Sequence, residues 1–160
     1  MEGINENWEE YFINIADKDK LTKISSMFDL DYLGGAIFLK YGNKVILDFK
    51  LWDYVDQLWA YIISLIEDFI LKGNSETFFP DQPIKIGFNH MSHEFMTIEI
   101  EASTLFSWQV PKQEFLMILL QSGETFFEAL TENLKLNDDH YSPELEKIQQ
   151  LKEKVRQIES

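Results

Sequence analysis

The stretch Phe95-Met96-Thr97-Ile98-Glu99-Ile100-Glu101 decides the fold class. Met96, Ile98 and Ile100 recur at every second residue, with Ala102 in the same phase, while Thr97, Glu99 and Glu101 take the alternate positions. Side chains of a strand point to opposite faces in turn, so this period of two predicts a half-buried strand with an acidic outer side. Ile84, Ile86 and Phe88 repeat the alternation upstream, and Asn89 to His93 turn the chain between the two runs. Downstream, Thr104 to Val110 reads as a further strand stopped by Pro111.

On both sides the period changes to that of a helix. From about Trp52 to Lys72, residues Val55, Leu58, Trp59, Ile62, Leu65, Ile66 and Phe69 form one apolar stripe, and Gly73-Asn74 ends it with residues that accept left-handed backbone. After Pro111, placed in a first helical turn with Glu114 near the positive end of the dipole, Phe115, Ile118, Leu119, Ser122, Phe126, Leu130 and Leu134 continue at helical spacing. Gly123 falls inside this run as a point of kinking or division. Ser142-Pro143 reads as the cap and first residue of a terminal helix carrying Leu145, Ile148, Leu151, Val155 and Ile158. A seam that narrow needs a partner surface, by docking on the domain or, as the alternative, by pairing with a second copy.

Ahead of the long helix, Leu33 to Lys40 and Lys44 to Phe49 flank Gly42-Asn43 and predict a hairpin. Behind it, Phe78-Phe79-Pro80-Asp81-Gln82-Pro83 predicts a rigid extended connection, with the two phenylalanines as a core plug. Lys20 to Phe28 predicts a short helix. Trp8, Tyr11, Phe12 and Ile15 also sit at helical spacing, although Tyr11, Ile13 and Ile15 alternate as in a strand. With no repeat and no linker, residues 1–160 read as one α+β domain. The expectation is a mainly antiparallel sheet, built from two hairpins and packed on one face by long helices, with a carboxy-terminal helix over 142–160 that docks or dimerises.

Composition then narrows the function. Twenty-eight Asp and Glu face fourteen Lys and Arg, of which Arg156 alone is arginine, and the net charge is −14. With 45% hydrophobic and 14% aromatic residues the charge belongs to a folded body rather than a solvated coil. Such a surface repels nucleic acid and anionic lipid, which reward cations, and attracts basic proteins. The first two-thirds of the chain is the more acidic: residues 1–101 hold eighteen acids and eight bases, against ten and six in residues 102–160. No cysteine is present, which excludes disulfides and thiolate chemistry. Met1 to Glu6 has neither a basic start nor an apolar run, and the longest apolar stretch, around Trp59 to Leu71, is broken by Ser64, Glu67 and Asp68. No signal peptide and no membrane span are therefore expected, and the default location is cytoplasmic.

Chemistry-bearing residues are sparse. His90, His93 and Glu94 offer two imidazoles and a carboxylate, but only His140 remains to complete a zinc set, so they read as polar turn residues and no metal or cofactor is expected. Asp53 and Asp56 lie one helical turn apart and Glu99 and Glu101 share a strand face, yet nothing marks a catalytic cleft. No serine sits in a nucleophile elbow, Gly34-Gly35 and Gly42 lack the spacing of a phosphate loop, and no catalytic residue is assigned. Trp52, Tyr54, Trp59 and Tyr61 crowd the start of the long helix. They read first as packing beneath the hairpin, and second as an aromatic centre beside an acidic rim.

The run Leu47 to Trp59 (Leu-Asp-Phe-Lys-Leu-Trp-Asp-Tyr-Val-Asp-Gln-Leu-Trp), followed by Phe78 to Ile84 (Phe-Phe-Pro-Asp-Gln-Pro-Ile), resembles the small acidic proteins of bacterial toxin-immunity loci. The resemblance runs from about Leu33 to Leu134 in its order of elements. It implies a cytoplasmic inhibitor that binds one toxin domain and blocks it sterically, and it carries over no site residue. The expectation is therefore a non-enzymatic protein-binding domain, monomeric or weakly dimeric, for a basic protein such as a toxin nuclease. Its contact residues are expected to be Trp52, Asp53, Asp56, Asp81, Glu99 and Glu101. The alternative is a small-molecule binding domain, or an enzyme, whose aromatics line a pocket between helix and sheet.

Overall fold

A computed structural model describes residues 10–159. Its organising element is the alternating segment and its neighbours. Strands β5 (Asn74–Phe78), β6 (Lys85–His90), β7 (Phe95–Glu101) and β8 (Leu105–Pro111) form a four-stranded antiparallel meander in the order β5-β6-β7-β8. The strand numbers follow four shorter strands upstream: β1 (Gly34–Gly35), β2 (Leu39–Tyr41), β3 (Lys44–Leu47) and β4 (Asp53–Tyr54). In the meander Ile86 pairs with Ile100, Phe88 with Ile98 and Met96 with Val110, and all six are buried on one face.

Of the four α-helices among the described residues, α2 (Val55–Lys72), α3 (Lys112–Asn133) and α4 (Ser142–Arg156) supply the apolar layer; α1 (Lys18–Lys23) lies in the amino-terminal segment. Phe88 makes edge-to-face contacts with Phe69 of α2 at 6.1 Å and Phe115 of α3 at 6.2 Å, joining two helices to the sheet through one ring. α2 stops at Gly73, whose φ of 82° favours glycine and whose N–H reaches the Phe69 carbonyl. α4 lies against α2 and α3, burying Ile148, Leu151 and Val155. Lys147 pairs with Glu67 of α2 at 2.7 Å, and Lys152 pairs with Glu124 of α3. The apolar seam of α4 is thus covered within the chain.

Gly123 does not divide α3, which runs unbroken for 22 residues. An added Cβ there would lie 3.2 Å from the ring of Trp59, so the glycine makes room for a tryptophan of α2 that also meets Phe126 at 6.2 Å. Ile118 and Ser122 are exposed, while Leu116, Leu120 and Phe127 are buried, so the buried stripe is rotated from the predicted one. Pro111 pairs with Phe95 as the last residue of β8 and caps α3 rather than opening its first turn.

Three further expectations are corrected. The first hairpin exists, with Gly42 at φ 58° in its turn, but only β2 and β3 pair. They form a separate two-stranded sheet and do not join the meander. Gly34 and Gly35 instead pair with Tyr54 and Asp53, so the chain reaches α2 through the short strand β4 and the helix begins three residues later than predicted. The connection expected over Phe78 to Pro83 begins only after Phe78, because Asn74–Phe78 is the edge strand β5. Its Asn-Ser-Glu-Thr-Phe sequence offers no apolar alternation, since one side faces solvent and Ser75 on the other donates to the Leu65 carbonyl of α2 at 2.8 Å.

Residues 11–16 are turn and irregular structure rather than helix, and α1 followed by a 3-10 turn at Ser25–Met27 replaces the helix expected over Lys20 to Phe28. Trp8 and the Met1–Glu6 segment lie outside the described residues. Among the described residues, no helix is long and apolar enough to cross a membrane.

Candidate partner-binding surface

The face of the meander opposite the helices follows from register. Glu76 pairs with Gly87 and Gly87 with Glu99; Phe78 pairs with Lys85, Lys85 with Glu101 and Glu101 with Leu105. These positions alternate with the buried ones and so share the outer face. Lys85 lies between two acids, 3.3 Å from Glu76 and 3.2 Å from Glu101, and the Glu101 hydrogen bond, followed by that of Glu76, raises its ammonium above the usual lysine range. Glu99, beside Gly87, makes no ion pair among the described residues. Phe78 and Leu105 are more than half exposed; the three carboxylates, the neutralised lysine and Leu105 line a shallow groove of about 230 Å³, and Phe78 lies next to it as the strand partner of Lys85.

Asp53 holds one end of this surface and is not part of its exterior. It is 1% exposed, and its carboxylate accepts the N–H groups of Tyr54 at 2.6 Å, Asp81 at 3.1 Å and Gln82 at 2.9 Å. Gln82 Nε2 reaches the Trp52 carbonyl at 3.3 Å. The expectation that Asp53 meets a partner is therefore corrected: a carboxylate engaged by three backbone donors is an internal clasp. It ties the entrance of α2 to the connection between β5 and β6. Nor do Asp53 and Asp56 share a helix face, because Asp53 is a strand residue.

The clasp explains how residues distant in sequence come together. The connection leaves β5 at Phe78 and enters β6 at Lys85, the partner of Glu101, so exposed Asp81 lies at the same end of the sheet as Glu101. Trp52 is half-buried beside it. The charge of Asp81, then burial, raises the Tyr54 phenol above its ordinary range. Asp56 is half-buried and accepts the Tyr141 hydroxyl at 3.0 Å, pinning the start of α4 to the start of α2. Burial, then the Asp56 charge, pushes that phenol upward.

Of the six residues expected at the surface, Asp81 and Glu101 are exposed, Glu99 is half-buried on the outer sheet face, Trp52 and Asp56 are half-buried, and Asp53 is internal. Glu76, Lys85 and Leu105 were missed. Glu76 lies on an edge strand that composition disguised, whereas Lys85 and Leu105 lie on β6 and β8, where the alternation already marked the outward positions.

The aromatic cluster also divides. Trp59 enters the core, Tyr54 meets Tyr32 edge-on at 5.7 Å, and Tyr61 is exposed. The Phe78-Phe79 plug splits as well, with Phe79 buried and Phe78 facing solvent. His90 Nδ1 lies 3.0 Å from Lys112 Nζ, which also donates to the Ser92 carbonyl at 2.7 Å, and burial lowers the Lys112 ammonium. Among the described residues, no three His, Asp or Glu side chains are grouped to hold a metal ion.

No protein-family model matches the chain, and comparison with curated proteins and with solved structures returns no match.

Proposed function

We propose that this chain is a non-enzymatic binding protein whose outer sheet face and adjoining Asp81 end receive a basic protein partner, in the manner of a cytoplasmic immunity-type inhibitor of a toxin such as a nuclease. The observation that carries this reading is the outer face itself. Glu76, Glu99 and Glu101 surround one lysine whose charge is already balanced, and Phe78 and Leu105 stand exposed beside them. Exposed apolar side chains beside acids suit a contact in which the apolar part desolvates and the charges steer. A nuclease carries cations to hold phosphate, so an acidic face competes for that surface while repelling nucleic acid.

The test is affinity capture of the full chain from its native host, followed by association kinetics with the captured protein. The partner is expected to be basic, and association should slow as ionic strength rises. Combined Glu99→Lys and Glu101→Lys should slow it by roughly tenfold or more, within the range of electrostatic steering. Absence of any captured protein, or an association rate indifferent to salt, refutes the reading.

A further inference from the structure

A second concave site lies away from the acidic face. The amino-terminal segment, β1 and the first hairpin stand off from α2 and α3 and enclose a cleft of about 800 Å³. The small-molecule alternative placed a pocket between helix and sheet, whereas this cleft lies between the amino-terminal segment and the helices. Its back wall is Trp59 and Phe126, already in contact at 6.2 Å. A row of three rings lines one side: Phe12 meets Phe49 at 5.1 Å, and Phe49 stacks on Phe38 at 5.5 Å. Phe38 remains 52% exposed, so the row reaches the mouth. Gly35 sets the edge, because a Cβ there would fall 2.8 Å from Val55, and only glycine lets β1 lie this close to the first turn of α2.

The chemistry of the lining is one-sided. The chain carries 28 acidic and 14 basic residues, yet among the described residues no charged side chain lines the cleft. Polar groups face each other across it: Gln121, Ser122 and Thr125 of α3 are exposed on one wall, and Tyr11 and Asn14, whose Oδ1 already accepts the Ala16 N–H at 2.9 Å, lie on the amino-terminal side. A charged ligand entering here would lose water with no counter-charge to meet it. A wholly polar ligand would leave its groups unpaired against the aromatic row. The volume falls within the range of small-molecule pockets.

We infer that this cleft binds an uncharged, predominantly apolar small molecule, its rings or chain against Phe12, Phe49 and Phe38 and a hydrogen-bonding end toward Gln121, Ser122 and Thr125. The site is independent of the partner-binding face, and it adds a ligand to a chain otherwise read as a protein-binding domain.

The test compares two fluorescent probes on the full chain: neutral N-phenylnaphthylamine and its sulfonated relative anilinonaphthalenesulfonate. The neutral probe should give a saturable signal, and the anionic one should bind at least about tenfold more weakly, because its charge goes uncompensated. Thr125→Trp and Ser122→Phe place bulk in the cleft from exposed helix positions. Each should weaken the neutral probe by about tenfold or more while leaving the thermal melt intact. Glu99→Lys with Glu101→Lys should leave probe binding unchanged, which separates this site from the acidic face. No saturable neutral-probe signal, equal affinity for the anionic probe, or undiminished binding by both filled variants overturns the inference; the first two outcomes are read on the unaltered chain.

Discussion

Replacing Asp53 with alanine removes the acceptor of three backbone N–H groups, two of which belong to residues 28 and 29 positions away. The Tyr54 bond is local and is readily replaced by water at the loop edge. The Asp81 and Gln82 bonds are not, because they hold the β5–β6 connection against the entrance of α2. Hydrogen bonds to a charged group contribute roughly 1.5–3 kcal/mol each, and buried donors left without an acceptor cost a similar amount. With partial recovery as the exposed Asp81 end opens to water, Asp53→Ala should destabilise by about 2–4 kcal/mol, a fall in Tm of about 5–15 °C for a chain this size. Asp53→Asn keeps the shape and one acceptor oxygen and should lose about half as much. Urea unfolding followed by circular dichroism gives both values. A loss below about 1 kcal/mol for Asp53→Ala, or an asparagine variant as damaging as alanine, would mean that the carboxylate does not hold the loop.

Three further perturbations probe the helical layer and the sheet. Gly123→Val directs branched bulk at the Trp59 ring, from which a Cβ is already only 3.2 Å away, and should cost about 1–3 kcal/mol. Gly87→Ala, whose nearest neighbours stand at 3.5 Å and 3.7 Å, should lie within about 0.5 kcal/mol of the parent in the same urea series. The third concerns pH. The Lys152 hydrogen bond holds the Glu124 carboxyl below the usual carboxylate range, so the native state favours its ionised form. The stability this adds is present above the ordinary glutamate value and is lost as pH falls through the lowered one. Glu124→Gln should therefore flatten the acid limb of a stability-versus-pH curve; an unchanged limb would show that the pair adds nothing.

What could be read without coordinates and what could not divide along the range of the interactions. The strands at Lys85–His90 and Phe95–Glu101, the helix ending at Gly73 and the terminal helix follow from local periods, because a chain that must bury one face writes that face into its own spacing, although Tyr141 and not Ser142 caps the terminal helix. The α+β class and the acidic outer side of β7 follow from the same signal. Edge strand β5 was illegible, since its solvent side demands nothing apolar and its inner side meets α2 through Ser75. Asp53 was misread for a related reason: a carboxylate beside Trp52 and Tyr54 is the same in sequence whether it faces water or three backbone donors. Gly123 looked like a helix breaker until Trp59 stood opposite it.

The sequence by itself determined the three long helices and the inner strands, the sign of the surface and the poverty of catalytic groups. Only the tertiary structure decided which carboxylates remain outside and which one closes the fold. Those outcomes depend on pairings between positions far apart in the chain, and no local pattern records them.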